Sequence, residues 1–153
     1  MGIEGDLLGD SLKRVQREAA SGGGKRVRPL LVASTAELFG VSRDAAVRVG
    51  TAVEAIHVYS LIHDDLPCMD DDDLRHGKPT LHHEFDEATA VLAGDSLHAL
   101  AFEILADEKT STDPFTRSEL ILTLGTASGM NGMAGGQMMD MVADEEGVTY
   151  DLH

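Results

Sequence analysis

Apolar residues recur at three- and four-residue spacing through most of the chain, the signature of helices packed on one face. Leu7, Leu8, Leu12 and Val15 mark a short amphipathic helix that ends at the SGGG run, Ser21 to Gly24. A second helix carries Leu30, Leu31, Ala33, Leu38 and Phe39. It accepts Pro29 in its first turn and stops at Gly40, a C′ position. Ser42 is the predicted N-cap of the third, with Asp44 in the first turn where the helix dipole favours it. Val49, Ala52, Val53, Ile56, Tyr59 or Ser60, and Ile62 or His63 then keep helical period straight into Asp64 and Asp65. Pro67 must break that helix, because its ring clashes with the carbonyl of His63 and removes a hydrogen bond.

A polar loop follows to about Thr80, and another helix is predicted from roughly Asp86 to Ala106. Gly94 inside it implies close approach to a neighbouring helix. Asp113-Pro114 reads as N-cap and first residue of the next helix, which runs to the glycine-rich GMNGMAGGQ. A last amphipathic piece covers Gln137 to Ala143, and the closing residues read as the start of another segment. Nothing alternates like a strand and nothing repeats. The expected fold class is all-α.

Composition agrees with the pattern. The 153 residues are 42% hydrophobic but only 4% aromatic, so the core must come from Leu, Val, Ala, Met and Ile. The Met130, Met133, Met138, Met139 and Met141 stripe is expected in that core. A net charge of −15 argues against nucleic acid as a partner, although an acidic chain can bind an anion through intervening metal ions. The lone Cys68 excludes an internal disulfide framework. No signal peptide is visible and no uninterrupted apolar run approaches membrane-spanning length, so a cytoplasmic protein without a membrane span is expected.

Chemistry concentrates in HDDLPCMDDDDLRHG, His63 to Gly77. Taken alone, an acidic run of this kind is a solvated loop. As a ligand set, all-oxygen donors suit Mg²⁺ or Ca²⁺. A calcium loop fails from Asp70: Leu74 stands at the fifth position, no Gly at the sixth and no Glu at the twelfth. Mg²⁺ fits better, since it takes one or two carboxylates and completes its shell with water and phosphate oxygens. Asp64 and Asp65 close an apolar helix, and His57 lies two turns earlier on nearly the same face. Such a helix packs poorly unless that face borders a cavity.

GGGKRVRP places Lys25, Arg26 and Arg28 beside three glycines. That suits either a plain helix N-terminus or a diphosphate cradle of backbone N–H groups, a Lys point charge and an Arg fork. It is not a P-loop, whose GxxxxGK[ST] pattern is absent. Arg75, His76 and Lys78 follow the acidic run, either to balance its charge locally or to neutralise phosphate. His82, His83 and His98 show no ligand spacing and are expected to be ordinary helix or surface histidines.

GGGKRVRP, AVEAIHVYSLIHDDLPCMDDDDLRHGKPT, AVLAGDSLHALAFEIL and GMAGGQMMDM, in this order, resemble the trans-isoprenyl diphosphate synthases, the polyprenyl synthetase family. The similarity is strongest to the bacterial farnesyl diphosphate synthases, with geranylgeranyl synthases next. It implies a helical bundle around an apolar cavity. There, Mg²⁺ (Mn²⁺ being possible) assists ionisation of an allylic diphosphate, dimethylallyl or geranyl, and isopentenyl diphosphate condenses with it head to tail. The cavity must be dry so that water does not quench the cation.

By the same resemblance Asp64 and Asp70 match metal ligands, with Asp65 and Asp71 as catalytic support. Six positions on an unbroken helix would turn Asp64 and Asp70 about 120° apart, and Pro67 interrupts that geometry. Lys25, Arg28 and His57 match isopentenyl diphosphate contacts, Arg75 an allylic diphosphate contact, and Gln137 a glutamine facing the metal region. His76 stands where the family usually has a second arginine, and would be charged only part of the time near neutrality. Tyr59 and Ser60, five and four positions before Asp64, match chain-length positions, and the bulk of Tyr59 favours a C15 product. Family members run well beyond this length, and the second aspartate-rich motif and later elements are not among the 153 residues. Residues 1–153 are therefore expected to be a partial isoprenoid synthase domain, its C-terminal half absent, inactive alone and homodimeric at full length. The competing readings are a geranylgeranyl synthase, a class I terpene cyclase (which would not need GGGKRVRP), a non-catalytic synthase-derived subunit, and an acidic helical protein with no ligand.

Overall fold

The computed structural model describes residues 26–146, and the expectations placed on Leu7–Val15, the SGGG run and Lys25 lie outside them. Helix α1 spans Val27–Leu38, α2 Arg43–Asp64, α3 Leu81–Glu84, α4 Glu87–Ala106, α5 Pro114–Ser128 and α6 Met133–Glu146. Two short strands, β1 (Leu74–Arg75) and β2 (Lys78–Pro79), form an antiparallel hairpin between α2 and α3.

Local chemistry sets the helix ends. At the end of α1 the Val41 N–H donates to Ala36 O at 2.9 Å and the Gly40 N–H to Glu37 O at 3.1 Å, with Gly40 at φ 69°. This is a Schellman stop, with glycine at its left-handed C′ position. Ser42 Oγ accepts from the Ala45 N–H at 3.3 Å to start α2. Asp86 accepts from the Thr89 N–H at 2.7 Å to start α4. Asp113 accepts from Phe115 and Thr116 N–H groups at 3.1 and 3.2 Å, and Pro114 follows it as the first residue of α5. Each fills orphan donors of a first turn.

The core lies along the α2–α4 seam, the most extensive packing in the fold. Ala52, Ala55, Ile56 and Ile62 of α2 face Ala90, Ala93, Leu97, Ala101 and Leu105 of α4, with Leu66 and Leu81 at the acidic end. So many alanines let the two backbones approach closely. Burying a leucine such as Leu105 contributes about 1.5–3 kcal/mol. The α1–α2 contact is similarly tight, since a Cβ at Gly50 would meet the Pro29 Cα at 3.3 Å. By length and composition alone α2 and α4 could each cross a bilayer, although neither holds a long uninterrupted apolar run; here they are the helices that build the core.

Two expectations fail. A hairpin stands where a loop was expected, with His76 and Gly77 at φ 53° and 78° as its two-residue turn. Two positive φ values match the right-handed twist of paired strands, and strands of two residues are too short to alternate. The methionine stripe is not core either: Met130, Met138, Met139 and Met141 are exposed, and only Met133 packs against the core. The closest partner of α6 is α5, which leaves most of its apolar side open among the described residues.

Candidate functional site

The acidic end of the fold is built by the last turn of α2 and the loop after it. As predicted from Pro67, α2 stops at Asp64 with Asp65 as its C-cap. The chain then turns back. The Asp70 N–H donates to Asp64 O at 2.9 Å, the Asp71 N–H to Leu66 O at 3.2 Å and the Asp72 N–H to Asp65 O at 3.2 Å. These bonds bring Asp70 onto the helix end from which a continuous helix would have turned it away.

Burial pushes the Asp64 carboxyl above the ordinary carboxylate range. The charge of Asp70, close enough to hydrogen-bond with it, pushes in the same direction. Gln137 reaches over from α6, and its Nε2–H donates to Asp64 Oδ1 at 2.7 Å. Asp64, Asp70 and Gln137 thus meet, 73 positions of sequence apart at the extreme. Asp71 is exposed at φ 54°.

Asp65 points elsewhere. It is 4% exposed, and Arg75 Nε and Nη2 both donate to its Oδ1, at 2.6 and 2.5 Å. Nη2 also reaches Asp72 at 3.4 Å. The bond to Asp65 raises the already high basicity of Arg75, and together the contacts fix the direction of its guanidinium. Thr80, also buried, closes the far side of the loop by donating to Asp72 O at 2.7 Å. Its Oγ1 also lies 3.2 Å from His82 Nδ1, so His82 braces the loop although sequence spacing marked it as ordinary.

His57 is half-buried two turns before Asp64. Burial lowers its pKa first, the charge of Arg28 next, and Arg75 adds to both against the opposing pull of Glu54. His57 is therefore neutral at neutral pH, with two cationic groups near it. His76 is the exposed first residue of the hairpin turn. Tyr59 lies between two rings, edge-on to His63 at 5.5 Å and to His98 at 4.9 Å, while the Ser60 hydroxyl donates to His57 O at 2.8 Å.

Among the described residues no group of three or more His, Cys, Asp or Glu side chains could hold an ion unaided. The Asp64–Asp70 pair still fits Mg²⁺ or Mn²⁺. Two like charges forced together, one of them raised in pKa by the other, are what a divalent cation relieves. Sequence reasoning missed Thr80, whose signal is a small hydroxyl directly after the hairpin. It also missed any cross-helix role for His63, which one residue before Asp64 seemed only one of two candidates for the apolar face.

The site is an acidic helix end with a returning aspartate and the Arg75 guanidinium held beside it. The polyprenyl synthetase family model matches residues 10–152, and the chain belongs to that family. It is 49% identical over 143 residues to the farnesyl diphosphate synthase of Bacillus subtilis (strain 168), covering 93% of this chain and 48% of that protein. It is 52% identical over 130 residues to the farnesyl diphosphate synthase of Escherichia coli (strain K12), covering 84% and 44%. Among solved structures, an FPP/GFPP synthase from Zymomonas mobilis superposes at a TM-score of 0.86 with 62% identity, over 93% of this chain and 51% of that one. The chain spans about half the length of the curated relatives it matches.

Proposed function

We propose that this chain carries the first aspartate-rich site of a farnesyl diphosphate synthase-like prenyltransferase. In this reading it joins isopentenyl diphosphate head to tail to dimethylallyl or geranyl diphosphate. The observation that carries the reading is the return of Asp70 to Asp64 with Gln137 on the same carboxylate. A Mg²⁺ or Mn²⁺ ion held by Asp64 and Asp70 would stabilise the negative charge that develops on the departing diphosphate. Arg75, aimed by Asp65 and Asp72, holds the allylic diphosphate, and Asp71 supports the loop. Lys25, Arg28 and neutral His57 hold isopentenyl diphosphate, with His76 at the hairpin tip as a weaker anion contact.

Tyr59 and Ser60 lie one turn back from the carboxylates and bound the growing tail. The Tyr59 ring, wedged against His98, favours a C15 product. A geranylgeranyl synthase is the second reading, supported by 45% identity over 130 residues to the chloroplastic enzyme of Capsicum annuum. The domain is read as part of an isoprenoid synthase bundle that works as a cytoplasmic homodimer, with no nucleic-acid partner and no membrane span. A non-catalytic subunit would be expected to have lost an aspartate or the Lys25/Arg28 pair, and this chain keeps them.

The test is a chimera that joins this chain to the part of the Zymomonas mobilis synthase it does not match. With Mg²⁺, isopentenyl diphosphate and geranyl diphosphate, it should yield a C15 diphosphate. Loss of condensation in a folded chimera would overturn the reading.

A further inference from the structure

A carboxylate on the last turn of a helix is only as well aimed as that turn is fixed, because helix ends fray. Asp64 sits on such a turn, and His63 beside it crosses to α4. His63 Nε2 lies 3.0 Å from the carbonyl of Val91. A carbonyl only accepts, so Nε2 carries the proton. The ring can lie there because residue 94, one helical step from Val91 on the same face, has no side chain. A Cβ on Gly94 would stand 2.2 Å from His63 Nε2 and 2.5 Å from Cδ2. Tyr59, one turn back, meets the ring edge-on at 5.5 Å and is also edge-on to His98 of α4. Asp95 is the charged group nearest the ring, 4.0 Å from Nε2 and largely exposed.

We propose that His63 is a positioning residue for the aspartate site: seated in the notch left by Gly94 and bonded to Val91, its ring fixes the rotation of the last turn of α2, and so the aim of Asp64. The inference rests on Asp64 being a metal ligand. Residues behind a ligand commonly change metal affinity by about 10–100-fold when lost.

The test measures Mn²⁺ affinity of the 153-residue chain with inorganic diphosphate present, beside its melting temperature, in five variants. His63→Ala should weaken Mn²⁺ binding about tenfold. His63→Gln, whose amide can still donate to Val91 O, should restore most of it. Gly94→Ala alters no proposed ligand, yet it should weaken binding about as much as His63→Ala, because the added methyl displaces the ring. Adding Gly94→Ala to His63→Ala should cost little further, since the three nearest neighbours of that methyl are all His63 ring atoms. Asp64→Asn should itself weaken Mn²⁺ binding. If His63→Ala and Gly94→Ala lower the melting temperature but leave Mn²⁺ affinity within about twofold, while Asp64→Asn still weakens it, the positioning role is wrong and the metal reading stands. If the wild-type chain binds no Mn²⁺, or Asp64→Asn has no effect, the metal reading fails and the positioning role with it.

Discussion

The backbone N–H of Asp70 donates to the carbonyl of Asp64 at 2.9 Å, and the two carboxyl groups lie close enough to share a proton. Burial first, and then the charge of Asp70, disfavour the ionised form of Asp64. The folded protein holds a proton on Asp64 more tightly than the unfolded chain does, so stability falls as pH rises from the ordinary aspartate value through the raised one. Asp64→Asn should consequently raise the melting temperature of the metal-free chain at pH 7, by about 2 °C for a pair this solvated. Asn can still accept from Gln137, so that contact survives. The substitution should have little stabilising effect at pH 3, where the Asp64 carboxyl is mostly protonated in the folded and unfolded states alike. Calorimetric scans at the two pH values check this, and a fall at pH 7 would contradict it.

The Arg75 guanidinium is the partner of the buried Asp65 side chain among the described residues. Arg75→Ala would leave that carboxylate buried and unpaired, at a cost of about 2–4 kcal/mol in urea unfolding. Arg75→Ala combined with Asp65→Leu should recover much of the loss, because no charge then remains buried. Equal destabilisation in the single and double variants would show that the pair is not the cause.

His57 should titrate below the ordinary histidine value by NMR of its ring protons, since burial and then Arg28 depress it. Its protonation is disfavoured in the folded state, so this group lowers stability as pH falls through the ordinary histidine value towards the depressed one. Arg28→Gln removes the second cause and should raise the His57 pKa part of the way back, leaving the effect of burial. An unchanged value in Arg28→Gln would place the two groups too far apart to share one diphosphate.

Tyr59→Ala in the Zymomonas chimera should shift the product from C15 towards C20, because the ring wedged between His63 and His98 would no longer cap the tail space. Product chain length by chromatography checks it. A profile identical to that of the parent chimera would remove Tyr59 from the specificity device.

The helix ends were legible because their chemistry is local. Gly40, Ser42 and Asp113-Pro114 each act on backbone within a turn of themselves, and Pro67 breaks α2 by a clash within its own helix. The family motifs likewise pointed to Asp64, Asp70 and Gln137 before their meeting was seen. What stayed hidden depends on partners distant in sequence. The His63–Gly94 notch needs α4 laid against α2, so neither residue signals it alone. The hairpin rests on two positive-φ residues between strands too short to show a period. The methionines of α6 misled because apolar periodicity tells which face wants burial, not whether a neighbour covers it.

In the proposed function these aspartates bind diphosphate through metal. Isopentenyl diphosphate should be titrated calorimetrically into the 153-residue chain with Mg²⁺ and with EDTA, in wild type and in Asp64→Ala/Asp70→Ala. Weak binding that requires Mg²⁺ and vanishes in the double variant is the predicted result. Binding of equal strength in EDTA, or unchanged by the double substitution, would contradict it.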